Sequence, residues 1–289
     1  MKTKIFWATG GMGKVIASTA IIELLKKENP NDKLIVITPH PLVFKNNPYI
    51  DEIFNIKDVN KAYQKYFNKD SQILVREPYN EPSFISGKEN LLKTWSKMYG
   101  LDLNNTSPQL FFEVGELDKY EKLFKSDKPI FVIHPFGGGT KEYNWVRDIH
   151  PNSAQNLVDF ISKSYTVYQI KSREQRLLKG AIPAEQNVRK IAALLKMADK
   201  RLLIDSFSQH LSASLRLKSS VCWYMTQPLS YGYPINNNIV INHSQTKKYK
   251  PFTFTVPQGV NLSEPLELCP YDSPQNLHSL DKIIKELNR

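Results

Sequence analysis

Two stretches of the sequence carry the same local pattern, a short apolar run broken by glycines and followed by helical spacing. In the first, Ile5 to Ala8 runs into Thr9-Gly10-Gly11-Met12-Gly13, and Lys14 to Lys27 then places Val15, Ile16, Ala20, Ile21, Leu24 and Leu25 on one side of a helix. In the second, Ile130 to His134 runs into Pro135 to Thr140, with a helix expected from Asn152 to Lys163. A buried strand that hands over to a helix through glycines is the opening of a βαβ unit. Two such openings in a chain of 289 residues call for two doubly wound Rossmann-like domains facing a cleft. Ser126 to Pro129 reads as the linker between them. The expected division is 1–127, 128–275 and a C-terminal segment, 276–289, whose helix (Ser279 to Leu287) crosses back to the first domain.

Further strands are expected at Leu34 to Thr38, Glu52 to Ile56 and Ile73 to Arg76, with helices at Asp58 to Phe67, Glu89 to Tyr99 and Leu117 to Phe124. Glu77 to Lys88, rich in Pro, Gly, Ser and Asn, reads as a loop. In the second half, strands are expected at Thr166 to Ile170, Leu202 to Ile204 and Val221 to Met225, and helices at Lys190 to Met197 and Phe207 to Leu217.

A hydrophobic fraction of 41% excludes a disordered chain. The net charge of +11 comes from scattered lysines rather than a polybasic block, which suits an anionic ligand or surface. No motif supports nucleic-acid binding. Cys222 and Cys269 fit no metal or redox spacing and read as free thiols. The N-terminus has too short an apolar run for a signal peptide, and no run reaches membrane-spanning length. A cytoplasmic protein is expected, with peripheral contact at the inner face of the membrane left open.

Three blocks carry candidate chemistry. Gly11, Met12 and Gly13, followed by Lys14, form a turn whose amides and ammonium can face the cleft. Read as a phosphate loop, this run resembles the deviant loop of ParA-type ATPases, but Val15 stands where the Mg²⁺-binding hydroxyl belongs and Thr9 where the signature Lys belongs. The second block is His134 to Trp145, where Gly137, Gly138 and Gly139 admit close approach of a ligand and Thr140 and Lys141 follow, the Lys within reach of an anionic oxygen. In the third, Asp205 ends a strand and a helix begins, with Ser206 or Ser208 as cap and His210 in its first turn. Its free amides suit a phosphate. Glu174, after the Tyr165 to Ile170 strand, suits a ribose diol.

Together these blocks resemble the family-9 glycosyltransferases, the ADP-heptose–lipopolysaccharide heptosyltransferases. The matching residues are Gly11 to Lys14 with Ser18-Thr19-Ala20, the run Asn47 to Ile53, the Gly137 to Trp145 loop, Glu174, and Asp205, Ser206, His210 and Ala213, with Phe207 where Gly is usual. The resemblance implies a GT-B fold, an acceptor (glycan, lipid-linked or other) held by the first domain, and a nucleotide-sugar donor, ADP-linked, held by the second. Lys141 would hold the diphosphate, Glu174 the ribose, and Asp205, Ser206 and His210 the diphosphate and sugar. No cofactor and no metal are implied.

The sequence departs from that family at one position that matters. The Asp that serves as general base after Met-Gly is Lys14 here. A protonated Lys cannot accept the acceptor's proton. Lys14 then anchors a phosphate or acceptor while another acid, Glu77 or Glu81, is the base; or the acceptor differs; or catalysis is lost. The expected activity is glycosyl transfer of a heptose or hexose. The alternatives are a non-catalytic GT-B protein that binds a sugar nucleotide or glycan, and a phosphate-loop nucleotide hydrolase.

Overall fold

A computed structural model describes residues 2–138, 141–185, 187–241, 269, 271 and 273–287. The first half contains β1 (Thr3–Trp7), α1 (Met12–Glu28), β2 (Lys33–Thr38), α2 (Pro41–Phe44), β3 (Glu52–Asn55), α3 (Val59–Tyr66), β4 (Ser71–Leu74), α4 (Pro82–Ile85), α5 (Leu91–Met98) and α6 (Glu116–Glu121). The second contains β5 (Ile130–Ile133), α7 (Pro151–Ile161), β6 (Thr166–Lys171), β7 (Ile182–Glu185), α8 (Val188–Met197), β8 (Lys200–Ile204), α9 (Phe207–Ser214), β9 (Ser220–Trp223), α10 (Pro228–Tyr231), β10 (Asn237–Val240) and α11 (Leu280–Leu287).

Each half builds one parallel sheet, in the order β3-β2-β1-β4 and β10-β9-β8-β5-β6-β7. Their central strands carry continuous apolar runs, Ile5 to Trp7, Leu34 to Ile37, Ile130 to Ile133 and Leu202 to Ile204, because both faces are covered there, the pattern a parallel sheet imposes. In the second sheet Phe131, Ile133, Leu202 and Ile204 point into a core shared with α7, whereas Ile130, Val132, Leu203 and Val221 point toward α8 and α9. That second layer is continuous with Phe6, Leu34 and Val36 of the first sheet and with α1, so one core runs between the halves.

Two strands, and the single-turn helices α2 and α10, escaped sequence reading. β7 is the edge of its sheet, only Ala184 in it is buried, and it contains Pro183, a residue edge strands tolerate. β10, at the other edge, opens with two asparagines and shows little apolar pattern. The Glu77 to Lys88 segment expected as loop holds the single-turn α4. The final helix does not cross back as expected. α11 lies against α7, β8 and β10, where Ile283 and Leu287 complete the outer core of the second sheet. Asn237 Nδ2 donates to the Glu286 carbonyl at 2.7 Å, and Lys282 Nζ to the Val240 carbonyl at 2.6 Å. The exposed outer face of that sheet needs an apolar cover, and α11 supplies it.

The halves are pinned at Arg189, the second residue of α8, which is 1% exposed. Its guanidinium donates through Nε and Nη2 to the two carboxylate oxygens of Glu116, and to the Leu42 and Phe111 carbonyls at 3.1 and 2.7 Å. It also lies 4.3 Å from the centroid of the Phe112 ring. Arg189 holds the Glu116 carboxyl below the usual carboxylate range.

Candidate functional site

The glycine-rich turn after β1 bends sharply because Gly10 has φ of +95°, a conformation that side chains disfavour. Gly11 is the N-cap of α1 and no side chain caps the helix. Lys14, buried in the first turn, directs its ammonium back into its own half, onto Glu77 Oε2. The ammonium also stands 5.5 Å from the Tyr79 ring and 5.7 Å from that of Trp95, within cation–π range. This is unlike a phosphate-loop lysine, whose ammonium reaches out to the nucleotide. Glu77 itself follows β4 and is part-exposed, with its other oxygen 3.4 Å from the Tyr79 amide.

On the opposite wall, Asp205 follows β8 directly and is buried at the start of α9. Burial raises its carboxyl above the usual range, opposed by the nearby charge of Arg147 and a hydrogen bond with Thr226. Neither expected serine caps the helix. The Ser206 side chain makes no capping bond, and the Ser208 hydroxyl pairs with His134 Nδ1 at 2.6 Å, because α9 is buried all round and its polar side chains find partners inside. His210 Nδ1 is 2.7 Å from the Tyr233 hydroxyl. Desolvation pushes His210 down to about 4, so at neutral pH it is an uncharged hydrogen-bonding group.

The two walls touch. Gly13 of α1 meets His210 and Phe207 of α9 so closely that no side chain fits between them. Tyr79 from the first half faces Tyr231 from the second, with ring centroids 6.2 Å apart, and Phe84 packs on the same Tyr231 ring at 5.3 Å. The Asn90 amide donates to the carbonyls of Leu229 and Gly232, at 3.4 and 3.3 Å. Groups from both walls act on Tyr79: burial raises it most, Asp205 and Glu77 raise it further, and Arg147 lowers it.

The loop after β5 is braced from two sides. Asp148 accepts the Gly137 amide at 2.7 Å and the Asn144 amide at 3.0 Å. Burial nonetheless pushes its carboxyl up to about 7. Gln175 Nε2 donates to the Phe136 and Gly137 carbonyls, both at 2.9 Å, so in the turn after β6 the residue that touches the glycine loop is Gln175, next to the expected Glu174. Lys141 and Glu174 are brought together, but as a surface pair 3.5 Å apart, with side chains 75% and 58% exposed. Gly138 adopts φ of +71°, and Gly139 and Thr140 lie outside the described residues. Glu81 heads α4 as its N-cap residue without a side-chain capping bond. Trp145 is core. A cavity of about 590 Å³ opens beside the carboxyl ends of β6 and β7, lined in part by Ser172, Arg173, Glu185, Asn187 and Lys190. Among the described residues no three His, Cys, Asp or Glu side chains form a metal-binding group.

Sequence reading missed Arg147, Tyr79, Tyr231, Tyr233, Asp148 and Gln175. Gln175 stands beside Glu174 in the strand-end block after β6 without a ligand signal of its own; the other five lie in no glycine-rich or strand-end motif, and only the folded chain shows what they touch.

The sequence matches no protein-family model and no curated protein. Solved structures resemble it over its whole length. They include a family 9 glycosyltransferase from Veillonella parvula, at TM-score 0.68 and 12% identity over 99% of this chain and 96% of that one. Escherichia coli ADP-heptose LPS heptosyltransferase II aligns at TM-score 0.61 and 14% identity, covering 100% of this chain and 98% of its own. TibC, an iron-containing dodecameric glycosyltransferase of enterotoxigenic E. coli, aligns at 0.70 and 13%, covering 99% and 75%. The chain therefore has the GT-B fold of these enzymes, as the sequence resemblance implied.

Proposed function

We propose that this protein transfers a glycosyl group, a heptose or hexose, from an ADP-linked sugar to a hydroxyl of a glycan acceptor. The observation that carries this reading is the contact of the α1 and α9 starts across the cleft, which sets Lys14, Glu77 and Tyr79 of one half against Asp205 and His210 of the other. The fold adds support, since it is shared with glycosyltransferases that include an ADP-heptose enzyme. The net charge of +11 suits an anionic donor and an acceptor at an anionic surface, the membrane's inner face included.

In this mechanism the acceptor hydroxyl lies on the first-half wall. Glu77 takes its proton, the oxygen forms a bond to the anomeric carbon, and the bond from that carbon to the diphosphate breaks with its electron pair leaving on the phosphate oxygen. Lys14 cannot be the base, because an ammonium has no free electron pair; it positions Glu77. The glycine-rich turns and the uncapped α9 start offer fixed amides to the departing charge, which cost no reorganisation as the bond breaks. Asp205, Ser206 and His210 hold the sugar and diphosphate, and the 590 Å³ cavity is of a size to take the nucleoside.

The Lys14–Glu77 ion pair also favours a second reading, a GT-B protein that binds the donor without transferring it, because the carboxylate is already engaged. A thermal-shift screen with ADP-, GDP-, UDP- and dTDP-sugars, followed by an assay of nucleoside diphosphate release with glycan acceptors, separates these cases. One nucleotide class at a hundred times its Kd should stabilise the protein by about 2.7 kcal/mol, and Asp205→Ala should abolish the shift. Stabilisation without release favours the binding protein. A shift by ATP with Mg²⁺ alone overturns the proposal in favour of the phosphate-loop hydrolase.

A further inference from the structure

Resting on that reading, we infer that Arg147, and not Lys141, is the side chain that grips the donor's diphosphate. The stem of Arg147 lies across Gly137: a Cβ there would stand 2.7 Å from Arg147 Cδ and 3.4 Å from Ile204 Cδ1. The glycine thus makes room for this arginine at the carboxyl end of β8, one residue before Asp205. The base of the side chain is rigid. The Arg147 amide donates to the Asn144 carbonyl at 3.2 Å, the neighbouring Val146 carbonyl accepts from Met225, and Asp148 ties both ends of the loop.

The guanidinium is not used up by the protein. Among the described residues its buried Nε has no hydrogen-bond partner and its guanidinium makes no ion pair. A guanidinium so placed next to an uncapped helix start is short of an anionic partner. Its charge reaches Asp205 and Tyr231 of the second half and Tyr79 of the first, so it stands where the walls of the cleft meet.

Lys141 differs on each count. It is mostly exposed, and Glu174 already stands 3.5 Å from its ammonium. A solvated ion pair contributes little to binding another anion. The planar fork of an arginine matches two phosphate oxygens at once, and its charge stays fixed as the diphosphate accepts the electron pair of the broken bond.

Isothermal titration calorimetry with ADP, GDP, UDP and dTDP, each beside its parent nucleoside, tests this on the full chain. Arg147→Gln keeps a polar stem over Gly137 and removes the charge. It should weaken the preferred nucleoside diphosphate by about ten- to a hundredfold, the range for lost charge-assisted hydrogen bonds, and leave nucleoside binding unchanged. Arg147→Lys, which keeps the charge without the fork, should recover part of the loss and decides the matter if the Gln variant does not fold. Lys141→Ala should change the affinity by less than about threefold. Diphosphate binding unaltered in both Arg147 variants, or lost in Lys141→Ala instead, overturns the inference while leaving the glycosyltransferase reading intact. A wild-type protein that binds none of the four diphosphates overturns both.

Discussion

A Cβ on Gly13 would stand 2.9 Å from His210 Cδ2 and 3.2 Å from the Cα of Phe207. The first turn of α1 and the first turn of α9 therefore touch through a residue without a side chain. The consequence is geometric. Two uncapped helix starts, one from each half, end up within one side chain's width of each other, and His210 is held there by Tyr233 on its far side.

Gly13→Ala should destabilise the protein, although alanine inside a helix is ordinarily better than glycine by about 1 kcal/mol. The opposing term is larger here, because the methyl group meets a buried ring and a backbone atom that cannot rotate away. Overpacking of this kind costs about 1–3 kcal/mol. A lowered Tm by thermal denaturation is the expected result. A raised Tm would mean that the two helix starts separate freely.

Glu77→Gln should reduce transfer by a factor of about 10²–10⁴ while donor binding persists, the cost of losing a positioned base. The variant also leaves the Lys14 ammonium buried without its counter-charge. Stability must therefore be separated from chemistry. Lys14→Met with Glu77→Gln should be more stable than Glu77→Gln alone, because no charge is left unpaired. Denaturant unfolding of the set, beside single-turnover assays, distinguishes the two effects.

Arg189→Met should cost about 3–5 kcal/mol, since it strands the Glu116 carboxylate and two carbonyls inside the contact between the halves. Combining it with Glu116→Leu should restore much of that loss. Urea unfolding of the pair and of each single variant measures the coupling. Equal, additive losses would show that Arg189 and Glu116 act independently.

Stability should fall as pH drops from about 6.5 toward 4.5. Burial holds His134 and His278 down to about 3 and His210 down to about 4, so in this window the unfolded chain takes up protons that the native protein refuses. Half-buried His40 and His150 shift the same way. Asp148, raised to about 7, and Asp205, also raised by burial, work against this: each holds its proton more tightly when folded than when unfolded, and that contribution declines as pH rises from the unfolded carboxylate range. The histidines outnumber them, so the net slope is positive with pH. Each unbalanced proton is worth about 1.4 kcal/mol per pH unit. Replacing His278, which lies away from the cleft, by Asn should flatten the profile by close to one proton, read from unfolding midpoints across this range; an unchanged slope would mean that His278 titrates alike in both states.

Some of this was written locally in the chain. Ile5 to Ala8, Ile130 to His134 and Leu202 to Ile204 are apolar without alternation, and that requires a parallel sheet covered on both faces. Glycines at 10 and 138 mark the turns after two of these strands, and both take positive φ. Asp205 at a strand's end followed by a helix is likewise a local signal, and the resemblance to family-9 glycosyltransferases rests on blocks of this local kind.

Contacts between residues far apart in sequence left no such mark. Lys14 alone reads as a free phosphate anchor; Glu77, sixty-three positions later, turns its ammonium inward. Lys141 follows three glycines and looks placed for an anion, yet the fold leaves it on the surface beside Glu174 and brings Arg147 in over Gly137 instead. The amphipathic period of α11 announced a helix with an apolar face but not which surface that face would cover. Strand and helix propensities depend on neighbours along the chain. Partner choice for a charge or an apolar face depends on which surfaces lose water together, and that is decided only when the two sheets and the helices between them pack.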